Sequence, residues 1–130
     1  MLLQQRAPGK YHCGGLWTNA CCSHPFPGEA IEDAAVRRLK EEMGFQTAVE
    51  KIFDFVYRAE LDNGLIEHEF DHVFVGKYDG EIPFNPTEVM NTRYLASGEL
   101  EVLVAKEPEL FTPWFKAALP RVLDWWRKQH

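Results

Sequence analysis

The chain has 130 residues, 45% hydrophobic and 13% aromatic, which is enough apolar material for the core of one domain spanning residues 1–130. Its formal net charge of −6 argues against a general nucleic-acid-binding protein, because such a protein usually carries a basic stripe. No apolar run approaches the roughly 20 residues that a membrane span needs, and the opening MLLQQRAPGK does not resemble a signal peptide.

The first half of the chain predicts a short strand, a loop region and a helix. Residues 2–6 resemble the end of a strand, and residues 7–28 are rich in Gly and Pro, which favours loops with short extended pieces. Residues 29–43 are predicted to form a helix, because apolar side chains recur every four residues from Ile31. Gly44 is expected to end that helix as its C′ residue.

The middle of the chain predicts an antiparallel hairpin. Residues 51–60 and 65–78 are rich in β-branched and aromatic side chains, and Asp62-Asn63-Gly64 between them is a turn signal. Alternation along the second strand places Glu67, Glu69 and Asp71 on one face.

The remaining residues predict one strand and two helices. The strand is expected over residues 88–95, and Ser97 is expected to cap a short helix that runs through residue 105. Thr112-Pro113 is a good N-cap and N1 pair for a last helix, which Pro120 should kink. Strands interspersed with helices, including a hairpin, predict an α/β (α+β) fold.

The segment WTNACCSHPFPGE, residues 17–29, concentrates reactive side chains in front of the first helix. Cys22 and His24 are two residues apart, so an extended backbone would point both to the same side. An odd number of cysteines with two adjacent is a poor disulfide framework, which favours reduced thiols in the cytosol. Taken alone, Cys22 would more often be an inert buried thiol than a reactive one.

Acidic and basic pairs offer a metal site and an anion site. Glu67 and Glu69 on one strand face would repel each other unless a cation, with His24 as a further ligand, lay between them. Arg38 and Glu42 share a helix face, so one could hold a phosphate and the other a Mg²⁺ that bridges to it. In isolation, each pair is more often a pair of solvated surface charges than a ligand site.

For four other residues, the sequence alone is compatible with either a functional or a structural role. Arg6 and Lys10, beside a Pro-Gly turn, could reach a phosphate or simply face water. Tyr57 and Trp114 are more often core or surface aromatics than catalytic groups.

Residues 23–45 resemble the Nudix box, G-x5-E-x7-R-E-U-x-E-E-x-G-U with U apolar. The matching positions are Glu29, Arg37, Leu39, Glu41, Glu42, Gly44 and Phe45. Ser23 replaces the leading Gly, and Arg38 replaces the first Glu of R-E, which belongs to the acidic cluster with which Nudix hydrolases hold metal. The resemblance implies a Nudix-like mixed sheet flanked by helices.

An Arg at position 38 is what type I isopentenyl-diphosphate isomerases carry, and the chain resembles that family over nearly its full length. The matching pieces, in order, are LLQQRA (2–7), GLWTNACCSHP (15–25), GEAIEDAAVRRLKEEMG (28–44), Tyr57-Arg58-Ala59, GLIEHE (64–69), EVM (88–90) and TPW (112–114). The resemblance implies interconversion of isopentenyl and dimethylallyl diphosphate in isoprenoid biosynthesis, by protonation and deprotonation of an alkene.

The resemblance also implies four catalytic residues. Cys22 matches the family's catalytic Cys, and Glu69 its catalytic Glu. Tyr57 matches the Tyr that assists proton transfer on the Glu side. Trp114 matches the Trp whose ring face stabilises a developing carbocation.

The same resemblance implies the ligands of the substrate and of two metal ions. Arg6, Lys10 and Arg38 match diphosphate-binding residues, and Glu42 matches the ligand of a Mg²⁺ that touches the diphosphate. A second divalent metal, Mn²⁺, Mg²⁺ or Zn²⁺, is implied at three further residues, His24, Glu67 and Glu69. The expected partner is a small prenyl diphosphate, with no nucleic acid and no membrane.

One departure concerns the N-terminal side, where the family has more chain before the equivalent of Leu2, with two further His ligands. A chain that lacked this segment would be expected to hold its second metal weakly, to have low activity, and to self-associate through an unpaired edge, whereas the family is monomeric. The alternatives are a Nudix diphosphohydrolase acting on a nucleoside or prenyl diphosphate, which Arg38 argues against, and a non-catalytic remnant that binds diphosphates.

Overall fold

The computed structural model describes residues 1–10, 13–21, 24–60, 64 and 66–129, and for residues 67 and 68 it describes the backbone alone. The elements in chain order are β1 (Leu2–Arg6), β2 (Trp17–Asn19), α1 (Ile31–Met43), β3 (Val49–Glu60), β4 (Ile66–Gly76), β5 (Val89–Tyr94), α2 (Ser97–Lys106), a 3-10 turn (Pro108–Leu110) and α3 (Pro113–Gln129). The predicted α/β (α+β) class, with helices flanking sheet, is confirmed. Within the described ranges, no helix is long and apolar enough to cross a membrane.

β1 is the central strand of a three-stranded antiparallel sheet with the order β2-β1-β5. In this register Gln4 lies opposite Thr18 on one side and Thr92 on the other. The register shifts between Gln5 and Arg6, where β1 ends beside the site described below. A parallel bridge between Trp17 and Phe111 joins β2 to the segment before α3.

β3 and β4 form a separate antiparallel hairpin. Tyr57 lies opposite Glu69, and Phe55 lies opposite Asp71, so these four residues share one face. The hairpin prediction is confirmed, and β3 begins two residues earlier than the sequence suggested, at Val49. Asp62 and Asn63 of the predicted turn lie outside the described residues.

α1 begins at Ile31 rather than at residue 29, because the carboxylate of Glu29 accepts a hydrogen bond from the backbone N–H of Phe26 and closes a turn before the helix. Glu32 and Asp33 in its first turn complement the helix dipole. Gly44 ends the helix as predicted, with φ of 80°, a left-handed conformation that favours glycine.

One detail of the later helices differs from the predictions. Ser97 is the first residue of α2 rather than its cap, and the carboxylate of Glu99 accepts a hydrogen bond from the N–H of the cap residue Ala96 at 3.2 Å. Thr112 caps α3 as predicted, since its Oγ1 accepts from the N–H of Phe115 at 3.4 Å. α3 continues through Pro120 to Gln129.

Two apolar clusters pack on either side of β1. Leu3 belongs to the cluster formed with α2 and α3, and Leu2 packs against the cluster at the end of α1, as alternation along a strand requires. The buried members of the first cluster are Leu3, Leu95, Leu100, Phe111, Phe115, Leu119 and Leu123, and those of the second are Leu39, Met43, Phe45 and Val89. The central sheet is therefore held between α1 and the α2–α3 pair.

Candidate active site

A cleft of about 370 Å³ lies where the end of β1, the loop before α1 and one face of α1 meet. Its charged character is unusual for a chain with a net charge of −6, because four cationic side chains face two acidic ones. The lining residues are Arg6, Lys10, His24, Phe26, Arg37, Arg38, Glu41 and Glu42. Such a cluster of cations suits a small anion with several negative charges.

Arg37 fastens the loop before α1 to the helix. Its guanidinium donates to the two carboxylate oxygens of Glu29 at 2.9 and 3.0 Å, to Glu41 at 2.7 Å and to the backbone carbonyl of His24 at 3.2 Å. It also lies over the ring of Phe26, 3.8 Å from the centroid. The hydrogen bond from Arg37 lowers the pKa of Glu29, so the pair stays ionised near neutral pH. Arg37 thus fixes the backbone that carries His24.

Arg38, one position further along α1, is the centre of an ion-pair group. Its guanidinium contacts carboxylate oxygens of Glu41 and Glu42, both at 3.2 Å, and of Glu88 at 3.4 Å. The Glu42 side chain is only 2% exposed, against 22% for Arg38. Burial opposes the charge of Arg38, but the three carboxylates together raise the pKa of its guanidinium. Arg38 therefore remains a fixed cation at the cleft.

Lys10 and Arg38 are held by the same carboxylate oxygen. Oε2 of Glu88 accepts a hydrogen bond from the ammonium of Lys10 and contacts Arg38. The bond from Lys10 lowers the pKa of Glu88, burial opposes this shift, and the charge of Arg38 adds to it. The backbone carbonyl of Glu88 also accepts from the N–H of Ala7 at 3.1 Å, which attaches the turn before β5 to the end of β1.

Arg6 connects the cleft to Trp114. The Arg6 side chain is almost fully buried, and its guanidinium lies 5.1 Å from the centroid of the Trp114 ring. Trp114 is in the first turn of α3 and packs at the edge of the α2–α3 cluster. A cation over an indole ring is attractive, so this contact orients both groups at the margin of the cleft.

The hairpin places Glu69 beside a second carboxyl group. Tyr57, which is buried, lies opposite Glu69 on the same face. Burial, together with a hydrogen bond and charge repulsion from Glu69, raises the pKa of Asp71 to about 6, while the charges of His24 and His72 act in the other direction.

The structure brings most of the predicted site residues together. Five of them line the cleft, namely the predicted diphosphate ligands Arg6, Lys10 and Arg38 and the predicted metal ligands His24 and Glu42. Tyr57 and Glu69 face each other on the hairpin, and Trp114 contacts Arg6. Cys22 and the side chain of Glu67 lie outside the described residues.

The described residues contain no group of three or more His, Cys, Asp or Glu side chains arranged to hold a metal ion. Of the predicted second metal site, His24 and Glu69 are within the described part of the chain. Burial first, and then a hydrogen bond and charge repulsion from Glu69, raise the pKa of the neighbouring Asp71 carboxyl group. A cation would relieve that repulsion.

Two acidic residues of this region were missed by sequence reasoning. The alternation of the strand places Asp71 on the same face as Glu67 and Glu69, and this spacing could have identified Asp71 as a site residue. Glu88 belongs to the matching piece EVM (88–90) but was given no role, because its partners Lys10 and Arg38 are 78 and 50 residues away.

Comparison with known families matches residues 1–115 to the NUDIX domain. The chain is also similar to several proteins named isopentenyl-diphosphate Delta-isomerase. It is 53% identical to isopentenyl-diphosphate Delta-isomerase 2 from Aromatoleum aromaticum, over 95% of this chain and 66% of the relative. It is 50% identical to one from Pectobacterium atrosepticum, over 98% and 71%. It is 54% identical to one from Photobacterium profundum, over 95% and 70%. The chain thus spans about two thirds of the length of these relatives.

Solved structures show the same fold at low sequence identity. A protein from Deinococcus radiodurans superposes with a TM-score of 0.76 at 18% identity, over 92% of this chain and 72% of that one. A MutT protein from Methanosarcina mazei superposes with a TM-score of 0.73 at 16% identity, over 92% and 80%.

Proposed function

Since the chain belongs to the Nudix family and, within it, to the isopentenyl-diphosphate Delta-isomerases, we propose that it interconverts isopentenyl diphosphate and dimethylallyl diphosphate. The reaction adds a proton to the terminal carbon of one alkene and removes another proton from the adjacent allylic carbon, which moves the double bond. A protonated alkene is a tertiary carbocation, so the reaction needs an acid, a base and a site that tolerates the transient positive charge.

The observation that carries this proposal is the cationic cleft. Arg6 and Lys10 lie at and just after the end of β1, and Arg38 lies on α1, yet all three line one cavity of about 370 Å³. A diphosphate bound there would be held by charge-assisted hydrogen bonds. Such a head group is a handle whose binding energy orients a small apolar tail that offers little else to recognise.

The reacting groups in this proposal lie on two sides of the tail. Glu69 transfers a proton on one side, and Tyr57, opposite it in the hairpin, assists by hydrogen bonding. Cys22 transfers a proton on the other side. Trp114 presents an aromatic ring to the developing carbocation, near the end of the cleft that Arg6 lines.

Glu42 fits the role of a Mg²⁺ ligand. Its carboxylate lies at the wall of the cleft among cations, and carboxylate oxygen is the ligand type that Mg²⁺ prefers. When bound, Mg²⁺ would neutralise charge on the diphosphate. Arg38 holds the Glu42 side chain in place by its ion pair at 3.2 Å.

A second divalent ion, Mn²⁺, Mg²⁺ or Zn²⁺, is proposed at His24, Glu67 and Glu69. Support comes from the carboxyl groups of Glu69 and Asp71, which lie on one face of β4 and repel each other unless a cation is bound. Bound there, a metal ion would polarise the Glu69 carboxyl group and strengthen it as an acid.

The cytoplasm is the proposed location. Three cysteines, two of them adjacent, form a poor disulfide framework, which favours a reducing compartment. The only small-molecule partner proposed is the prenyl diphosphate.

The direct test is incubation of the purified chain with isopentenyl diphosphate and Mg²⁺ or Mn²⁺ in heavy water. We expect dimethylallyl diphosphate that carries deuterium, without release of phosphate. Release of inorganic phosphate or of a monophosphate would instead support a Nudix diphosphohydrolase. Diphosphate binding without either reaction would support a non-catalytic binding protein.

Variants of the proton-transfer groups test the assignment of roles. Cys22→Ala and Glu69→Gln should each abolish isomerisation and deuterium incorporation. The matched control is Cys21→Ala, which removes the neighbouring thiol and should have a mild effect. Loss of activity in Cys21→Ala with activity kept in Cys22→Ala would mean that the wrong thiol has been assigned.

A further inference from the structure

Glu88 lies directly before β5 and contacts two cations of the cleft through one carboxylate oxygen. Its Oε2 atom accepts a hydrogen bond from the ammonium group of Lys10 and lies 3.4 Å from a guanidinium nitrogen of Arg38. Lys10 follows β1 and Arg38 belongs to α1, so this single oxygen connects two separate elements. Glu88 is not among the described residues that line the cleft, although both of its partners are.

The turn that carries Glu88 is attached to the same two elements. The N–H of Asn85 donates to the carbonyl oxygen of Glu42 in α1 at 2.9 Å. The N–H of Ala7, directly after β1, donates to the carbonyl oxygen of Glu88 at 3.1 Å. Between these attachments, Oδ1 of Asn85 accepts from the N–H and the hydroxyl group of Thr87 at 3.1 and 2.8 Å. The backbone of Glu88 is therefore fixed relative to both β1 and α1.

A carboxylate at this position has a clear physical effect on the two cations. Two cations that converge on one anion site repel each other before the anion binds, and a carboxylate between them offsets that repulsion. It also restricts the long side chain of Lys10, which would otherwise lose conformational entropy when an anion binds. An ammonium group has three protons and a guanidinium group has five, so both cations can donate to Glu88 and to an anion at the same time.

We propose that Glu88 is a positioning residue that sets the spacing between the Lys10 ammonium group and the Arg38 guanidinium group for a bound diphosphate. This inference rests on the proposed function, because that function assigns both cations to the diphosphate. Glu88 acts through the two cations and takes no part in proton transfer. By fixing the head group, it also fixes where the reacting tail lies.

Glu88→Gln tests the inference, because it keeps the shape of the side chain and removes its charge. We expect the affinity for inorganic pyrophosphate, measured by calorimetry, to fall by about tenfold, since one misplaced cation loses a charge-assisted hydrogen bond. The matched control is Glu101→Gln, which removes the same charge from an exposed ion pair with Arg127 and should bind pyrophosphate as the wild type does. Unchanged affinity in Glu88→Gln would overturn the inference. Tighter binding would also overturn it, because it would mean that Glu88 competes with the anion for the cations.

A second measurement follows Lys10 directly and does not depend on isomerase activity. The NMR signal of the Lys10 ammonium group, assigned by its absence in Lys10→Met, should be visible in the wild type because the ion pair protects its protons from exchange with water. The signal should disappear in Glu88→Gln and persist in Glu101→Gln. A purely structural role of Glu88 would lower the melting temperature and leave both this signal and the pyrophosphate affinity unchanged. A wild type without an observable Lys10 signal would overturn the inference even if the variant failed to fold.

Combining substitutions tests whether Glu88 acts through Lys10. Glu88→Gln should weaken pyrophosphate binding much less in a Lys10→Met background than in the wild type. Effects on affinity that multiply independently would contradict the coupling.

Isomerase kinetics separate this inference from the proposed function. A wild type that does not isomerise, but whose pyrophosphate affinity depends on Glu88, would reject the proposed reaction while the positioning role stands. Wild-type kcat and KM for isopentenyl diphosphate in folded Glu88→Gln would overturn the positioning role while the proposed reaction stands.

Discussion

Arg38→Met should affect both the stability of the fold and the binding of diphosphate. Arg38 is the cation that lies 3.2 Å from the buried carboxylate of Glu42. Removing it leaves that carboxylate with less compensation for its lost hydration. Methionine keeps much of the volume and the unbranched shape of the arginine stem, so the lost charge dominates the effect.

The size of the stability effect follows from burial. Breaking a fully buried ion pair costs about 3–5 kcal/mol, whereas an exposed pair contributes about 0–1 kcal/mol. The Glu42 side chain is 2% exposed but that of Arg38 is 22% exposed, which places this pair between the two cases. We therefore expect Arg38→Met to lower the free energy of unfolding by about 2 kcal/mol.

Urea unfolding at neutral pH measures this loss, and Arg127→Met is its matched control. Arg127 pairs with Glu101 at 2.8 Å, but both side chains are more than half exposed, so that change should cost less than about 0.5 kcal/mol. The double variant Arg38→Met/Glu42→Met should be less destabilised than Arg38→Met, because it removes the buried charge together with its partner.

Calorimetry with inorganic pyrophosphate measures the second effect. A charge-assisted hydrogen bond is worth about 1.5–3 kcal/mol, so Arg38→Met should weaken binding by about one to two decades. Equal stability losses in Arg38→Met and Arg127→Met would refute the reasoning from burial. Unchanged pyrophosphate affinity would refute the assignment of Arg38 to the anion site.

Two further changes test other features of the fold. Asp71→Asn should stabilise the metal-free protein above pH 6 by about 1 kcal/mol after allowance for solvent screening. The reason is that folding raises the pKa of the Asp71 carboxyl group from 3.8 to about 6, so its ionisation disfavours the folded state. The advantage of the variant should disappear toward about pH 4, where the carboxyl group is protonated. Thermal unfolding in EDTA at both pH values measures this, and equal melting temperatures of variant and wild type above about pH 6 would contradict the prediction. Gly44→Ala should destabilise the fold by about 2 kcal/mol, because φ is 80° and a Cβ would clash with the carbonyl oxygen of Pro83. The control is Gly98→Ala in α2, which should be neutral or stabilising because the space around Gly98 is open. Similar melting temperatures for the two variants would show that the close approach at Gly44 is tolerated.

The sequence predicted the regular elements better than their ends. α1 was recognised by its apolar period, and Gly44 marked its end correctly. Its start was misplaced because Glu29, an ordinary first-turn residue by composition, is bonded instead to Arg37 and to the N–H of Phe26. β2 was not resolved from its surroundings, since three residues have no period and their pairing with β1 is not local.

Site residues that belong to a sequence motif could be predicted, whereas those brought together only by the fold could not. Arg6 and Lys10 could be named through a family resemblance, and the structure then placed them in one cleft with Arg38. The role of Glu88 could not be predicted, because Glu88 contacts Lys10 and Arg38 only when the fold brings β1, α1 and the turn before β5 together. The hydrogen bond between the hydroxyl groups of Thr18 and Thr112 joins residues 94 positions apart and has no sequence signal either.

The division of the strands into two sheets has a consequence for how such a protein can change over evolution. The proposed diphosphate ligands Arg6 and Lys10 lie at and just beyond the end of β1 in the β2-β1-β5 sheet, whereas Tyr57 and Glu69 are on the separate β3–β4 hairpin. Substitutions in one part can therefore accumulate with little strain on the other. If β3–β4 hairpins from related proteins are recombined onto this scaffold, we expect the catalysed reaction to change while the proposed diphosphate ligands Arg6 and Lys10 keep their positions.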